Sequence, residues 1–306
     1  MLANLYESFW NSEYWIPTGY TWADLEDSDG ITYPHPKDLL AAIPLTFVLI
    51  VIRYSTERAI GLPLSRALGV RDPFRIKATP NPILESFFRT QRKNPEKETW
   101  FGQPETVWDG YPKQPLQPAI YWWYLLEISF YLSLLLTLTL DVKRKDFIGQ
   151  LIHHFITIIL IFFSYSANFV NIGALVLLLH DVSDIFLEAY KMLSYAQWKQ
   201  AREAVFILFA LVFLITRLIL FPIKVLYTTY YVAQSKNQFF FGYYFTTTLM
   251  TILQGLNVFW SFLILRMVYK FLSEGQVQND VRSDLEEEEN MSDEPLTMRQ
   301  KSNARI

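Results

Sequence analysis

Cysteine is absent from the 306 residues, which excludes disulfide scaffolds, thiolate metal sites and cysteine nucleophiles together. Charge is scarce as well. Asp, Glu, Lys and Arg make up 19% of the chain, against about 25% in ordinary soluble domains, and they sit in blocks. Residues 280–294 hold eight acidic side chains against Arg282 alone, so this stretch is net −7, and from a total of −3 the remainder is +4. The mild acidity therefore belongs to a tail. The opening MLANLYESFWNSEYW lacks a basic region followed by an apolar run, so it does not read as a cleavable leader. Internal repeats are missing too, which weighs against a transporter built from repeated halves.

What is present is apolar: 51% of residues are hydrophobic and 17% aromatic. Five long runs, 119–140, 147–165, 170–190, 204–227 and 245–272, and a shorter one at 39–52, stand out. The long runs are each about long enough to cross roughly 30 Å of hydrocarbon at 1.5 Å per residue. The fold class is therefore all-α: a polytopic membrane bundle of five long spans plus a short N-terminal hydrophobic helix. Tyr121, Trp122, Trp123 and Tyr124, and Tyr227, Tyr230 and Tyr231, read as interfacial aromatic belts. Basic residues favour the cytoplasmic side, and DVKRKDF at 141–147 is the densest short basic loop, so that loop and the C-terminal tail are placed in the cytosol and residues 166–169 and 230–242 in the lumen.

The chain divides into an N-terminal segment 1–38, a first hydrophobic helix 39–62, a proline-rich linker 63–118, the membrane domain 119–272 and an acidic tail 273–306 expected to be disordered. The basic stretch 87–97 invites a nucleic-acid reading. A short basic stretch beside a membrane is more often a topology signal or a contact to anionic lipid, so no nucleic acid is expected.

Ionisable residues inside a span are costly and mark functional sites by default. One cluster qualifies. His153 and His154 lie six to seven residues into the span that starts at Phe147, and His180, Asp181 and Asp184 lie six to ten residues before Tyr190 on the next, antiparallel span. Both sets fall at similar depth, roughly 9–15 Å from the same side. Asp181, Asp184 and Glu188 share a helix face, and His180 and Asp184 form an i, i+4 pair. A carboxylate that fixes one imidazole tautomer raises the basicity of the other nitrogen, as a general base or nucleophile requires. Three His and two Asp also suit zinc or non-haem iron, although adjacent histidines do not readily chelate one ion from the same face. Helix packing alone is a third reading. Arg217 and Lys224, seven apart, meet a phosphate or carboxylate, or snorkel; Gln254 and Asn257 serve helix packing.

The stretch from Lys143 to Tyr195, with its paired histidines, its His-Asp-x-x-Asp and the FLEAYKMLSY that follows, resembles the longevity-assurance motif of the ceramide synthases, the animal branch of the TLC-domain membrane proteins. WADLED near the N-terminus, WDGYPKQPL at 108–116 and the acidic VRSDLEEEE extend the likeness to most of the chain, and details look closest to the type 3 enzyme. The resemblance implies N-acylation of a sphingoid base by a fatty acyl-CoA co-substrate in the endoplasmic reticulum membrane, with no bound metal or cofactor. It makes His153, His154, Asp181 and Asp184 catalytic, with His180 and Glu188 in support. Lys143, Arg144, Lys145 and Arg217 are the candidates for holding CoA. Tyr230, Gln238, Phe239, Phe240 and Phe241 belong to the loop to which this family's acyl-length choice is attributed. It further implies contact with membrane lipids and pairing with the same or another ceramide synthase. Ser283 and Ser292, each followed by acidic residues, read as phosphorylation sites. A non-catalytic, lipid-binding or regulatory TLC-type protein is the alternative. Relatives carry a homeobox-like domain and a second membrane helix before YPKQPL, of which only fragments remain here. The first apolar run is therefore expected to be inverted, tilted or interfacial, so that the later spans keep their orientation.

Overall fold

A helix that is apolar on every side must be buried in protein or in lipid, and each apolar run of this chain forms such a helix. The computed structural model describes residues 2–28, 30–56, 58–59, 104–138, 146–195, 198–235 and 239–274. Short helices α1 (Leu2–Phe9) and α2 (Ser12–Trp15) precede α3 (Ala42–Thr56), which is entered through a 3-10 turn, Pro36–Ala41. After a further 3-10 turn, Pro104–Trp108, come α4 (Pro118–Leu138), α5 (Phe147–Ser166), α6 (Val170–Tyr195) and α7 (Lys199–Leu214). The last continues without a break through a π-helical stretch, Ile215–Tyr227, into α8 (Thr228–Ser235), and α9 (Phe241–Glu274) closes the order. Six continuous helical stretches among the described residues are long and apolar enough to span a membrane. Lys143, Arg144, Lys145, Gln238, Ser283, Ser292 and the fragments at 78–97 lie outside the described residues.

The first of the six corrects an expectation. With its 3-10 turn it runs Pro36–Thr56, 21 residues, and it packs parallel to α4 rather than inverted. Three contacts fix the direction. Asp38 accepts from the Tyr165 hydroxyl at 3.1 Å, the Thr46 hydroxyl donates to the Ser129 carbonyl at 3.3 Å, and Arg53 donates to Thr137 at 2.7 Å. The N-terminus thus shares a face of the bundle with Pro118 and the α5–α6 turn, and Arg53 lies towards the face where Asp146 caps α5. Residues 60–103, between this helix and the turn before α4, lie outside the described residues.

On the turn face, α5 stops because Asn168 takes up the left-handed conformation (φ 55°), which an Asn tolerates at a helix end better than most residues. Its amide donates to the carbonyls of Pro112 (2.6 Å) and Gln114 (2.9 Å), tying the segment before α4 to the turn. The N-terminal segment caps this face: Trp15, Ile16, Leu25 and Tyr33 are buried against Phe163 and Phe245. Inside, α6 meets α4 closely at Gly173, where an added Cβ would lie 1.9 Å from the Tyr124 hydroxyl oxygen. That hydroxyl donates to the Val170 carbonyl at 3.0 Å.

Candidate active site

The imidazoles converge where α4, α5, α6 and α9 meet. His153 and His154, adjacent on α5, have ring centroids 5.8 Å apart. His153 faces the His180 ring of α6 at 6.2 Å and 28°, and the edge of Trp260 from α9 at 5.3 Å. Tyr131 of α4 touches both, 6.2 Å from His153 and 5.8 Å from His154. The Trp260 indole donates in turn to Asp146 at 3.3 Å, so the residue that caps α5 also seats the ring packed against His153. His180 is buried, and its Nδ1 lies 2.8 Å from the Val176 carbonyl. Nδ1 must carry the proton there, since a carbonyl can only accept, and this leaves a lone pair on Nε2, which is buried and has no hydrogen-bond partner among the described residues.

The carboxylates divide. Asp184 accepts from Arg217 Nη2 at 2.8 Å, and the same nitrogen donates to Ser183 Oγ and the His180 carbonyl, both at 2.9 Å. Arg217 is 4% exposed and sits at the start of the π-helical stretch. Pro222 within that stretch has no N–H for an α-helical ladder, and π turns are frequent at functional sites. The seven-residue spacing that aligns Arg217 with Lys224 on an α-helix does not do so here, and Arg217 alone of the two is buried. Asp181 lies beside the Glu127 carboxyl of α4, and Glu127 accepts from the Trp123 indole at 3.2 Å. Glu188 is drawn to Lys191 at 2.6 Å and away from the imidazoles. Among the described residues, no three His, Asp or Glu side chains converge as metal ligands would.

From Tyr131 and His180 an apolar cavity runs between α5, α6 and α9 towards the turn face. Of the loop candidates, Phe240 is buried in the core beside it, whereas Tyr230, Phe239 and Phe241 are exposed. Sequence reasoning overlooked Glu127, Tyr131 and Trp260. A lone carboxylate in a span was signal enough for Glu127; nothing distinguishes Tyr131 or Trp260 in a chain with 18 Tyr and 9 Trp.

The TLC-domain family signature matches residues 95–266. Human ceramide synthase 4 is 45% identical over 363 aligned positions that cover 98% of this chain and 92% of that protein. Human ceramide synthase 3 is 36% identical, covering 92% of this chain and 88% of its own. Ceramide synthase hyl-1 of Caenorhabditis elegans is 32% identical, covering 90% and 83%. The likeness to type 3 thus gives way to a greater one to type 4. With a family signature over more than half its length and such similarity end to end, this chain belongs to the ceramide synthases of the TLC-domain family.

Proposed function

We propose that the chain joins a fatty acyl group from acyl-CoA to the amine of a sphingoid base, with the acyl chain in the apolar cavity and the thioester at its head, beside His153, His154 and His180. The relatives' names supply the reaction class. The observation that supports the placement is the meeting, at Tyr131 and His180, of an apolar cavity with three imidazoles.

His153 touches both other imidazoles and is the reacting group in this reading. As nucleophile it attacks the thioester carbonyl, the C–S bond breaks, and the thiolate leaves with the imidazole proton as free CoA. The amine then attacks the acyl-imidazole, the amide C–N bond forms, and the released imidazole takes the amine proton. As general base, His153 would instead take that proton while the amine attacks the thioester directly, the C–S bond breaks, and the proton passes to the departing thiolate to give free CoA. Arg217 orients α6 through Asp184 and the His180 carbonyl; Asp181 and Glu127 brace α6 against α4. CoA lies towards the face where Asp146 caps α5, near Lys143, Arg144 and Lys145, and the 230–244 segment governs acyl length. The membrane is that of the endoplasmic reticulum, with the tail, Ser283 and Ser292 included, in the cytosol, and the working form pairs with a second ceramide synthase.

The alignment with human ceramide synthase 4 spans 363 positions, more than the 306 residues of this whole chain, so the relative carries stretches with no counterpart here. This supports the reading that most of a homeobox-like domain and one membrane helix are missing, and activity well below that of a full-length relative is expected. Microsomes containing this chain, given a sphingoid base and acyl-CoA, should form ceramide. Alanine at His153, His154, Asp181 or Asp184 should cut that by about 10²-fold or more while the protein stays inserted. Undiminished ceramide formation in His153→Ala would overturn the assignment. Intact mass after acyl-CoA alone separates the two roles, because only a nucleophile accumulates an acyl adduct.

A further inference from the structure

At its end away from the imidazoles the apolar cavity is lined by aromatic rings. Ile172, Val176 and His180 line it along one face of α6, and the eight steps from Ile172 to His180 span about 12 Å. Beyond Ile172 the lining passes to Phe169, from the α5–α6 turn, and Trp108, from the 3-10 turn before α4. Their rings meet edge to face at 5.8 Å and 76°. Both are buried, at 6% and 7% exposure.

These rings are backed and pinned. Phe169 stacks with two rings that do not line the cavity: Tyr111, at 4.9 Å and 12°, and Phe240, at 6.3 Å and 6°. The backbone carrying Trp108 is held by Gln114, whose amide donates to the carbonyls of Val107 (2.6 Å) and Asp109 (2.9 Å). Gln114's own carbonyl accepts from Asn168, the residue before Phe169. One hydrogen-bonded unit therefore fixes both rings of the wall. The 230–244 segment contributes Tyr243 to the lining, while its Phe240 stands behind Phe169.

We infer that the Trp108–Phe169 pair is the stop that sets how long an acyl chain the cavity accepts, and that the 230–244 segment acts on it through Phe240. The inference rests on reading the cavity as the acyl channel. It places the length determinant in two segments far from that loop in sequence, the 3-10 turn before α4 and the α5–α6 turn.

The test uses the full chain in nanodiscs and a series of saturated thioether analogues of acyl-CoA, which bind without transferring. Affinity should rise about fourfold per carbon, the ~0.8 kcal/mol of one buried CH₂, up to a break where the chain meets the wall. Trp108→Ala should move the break to longer chains. Trp108→Leu and Phe169→Leu, which keep an apolar side chain in place, should do the same if the alanine variant fails to fold, and Phe240→Ala should produce a smaller shift in the same direction. A break at the wild-type length in Trp108→Leu and Phe169→Leu would overturn the inference and leave the channel reading intact. A wild-type profile flat in chain length would instead remove the channel reading itself.

Discussion

Arg217 shows how a single buried charge organises the site. Its guanidinium is 4% exposed, whereas the Asp184 side chain is 52% exposed. The two halves of the pair should therefore respond unequally. Asp184→Ala leaves a buried cation without its carboxylate and is expected to cost about 2–3 kcal/mol, less than the ~3–5 kcal/mol of a wholly buried pair because water reaches the aspartate side. In the double variant Asp184→Leu with Arg217→Met the charge is gone from both sides, and most of that loss should return. Thermal unfolding of the purified variants in one detergent checks this; equal losses in the single and double variants would mean the pair does not couple. The double variant should nevertheless remain inactive, since the His180 carbonyl and Ser183 lose their donor. The histidines and aspartates of the site were legible in the sequence because polar groups inside spans are costly. The partnership of Arg217 with Asp184 was not, since it joins residues 33 apart on helices whose relative rotation no local pattern encodes.

Between elements, close approach is set by small residues and by ties at the helix ends. Gly173→Ala would put a methyl group 1.9 Å from the Tyr124 hydroxyl, forcing it off the Val170 carbonyl and Ser164. A loss of about 1–3 kcal/mol is expected, read as a lower unfolding temperature, and Tyr124→Phe should relieve part of it by removing the clashing oxygen. At the turn face, the N-terminal cap is tied by Asp24 to Lys113 at 2.9 Å. The hydrogen bond from Lys113, with a smaller contribution from the Thr21 backbone, holds the Asp24 carboxyl below its usual 3.8, and Asp24 holds the Lys113 ammonium above its usual 10.5. Asp27 is held low as well, first by the Tyr33 N–H and then by His35. A lowered carboxyl stabilises fully above 3.8 and loses that contribution as pH falls through the folded value; a raised ammonium stabilises below 10.5 and loses it only as pH rises beyond. The cap should thus loosen on the acid side, below pH 3.8, with faster amide exchange over residues 20–33 after correction for the intrinsic rate. Asp24→Asn should already exchange faster at neutral pH. The helices were readable as uninterrupted apolar runs; the π-helical winding of Ile215–Tyr227 was not, because α and π turns use the same residues and Pro222 was its only mark.

At the scale of the whole molecule the question is how many times the chain crosses, and the missing cysteines make it answerable. With no thiol anywhere in the 306 residues, each introduced cysteine is labelled without background. Residues 20 and 109 both lie on the turn face, tied together by Thr32 to Leu116 and by Asp24 to Lys113. Trp198, before α7, lies towards the opposite face and is exposed. In sealed microsomes, a charged maleimide outside the vesicle should therefore treat Tyr20→Cys and Asp109→Cys alike and Trp198→Cys oppositely, with all three labelled once detergent opens the vesicles. If the turn face is lumenal, as the basic loop 141–147 argues, Trp198→Cys is the one that reacts from outside. Because α3 runs from the turn face to the opposite one, equal labelling at 20 and 109 would require the chain between residues 56 and 104 to recross the bilayer, although 63–103 contains no run of apolar residues as long as the other spans. Opposite labelling at 20 and 109 would instead mean that α3 sits inverted in the membrane, and that the parallel packing against α4 is not kept there. α3 has the shortest apolar run of the six, and the contacts of Asp38, Thr46 and Arg53 with their partners set it parallel to α4. A chain that recrosses without an apolar span inserts poorly, so equal labelling at residues 20 and 109 would give a physical reason, apart from any change at the histidines, for reduced ceramide formation from a chain whose imidazole cluster is intact.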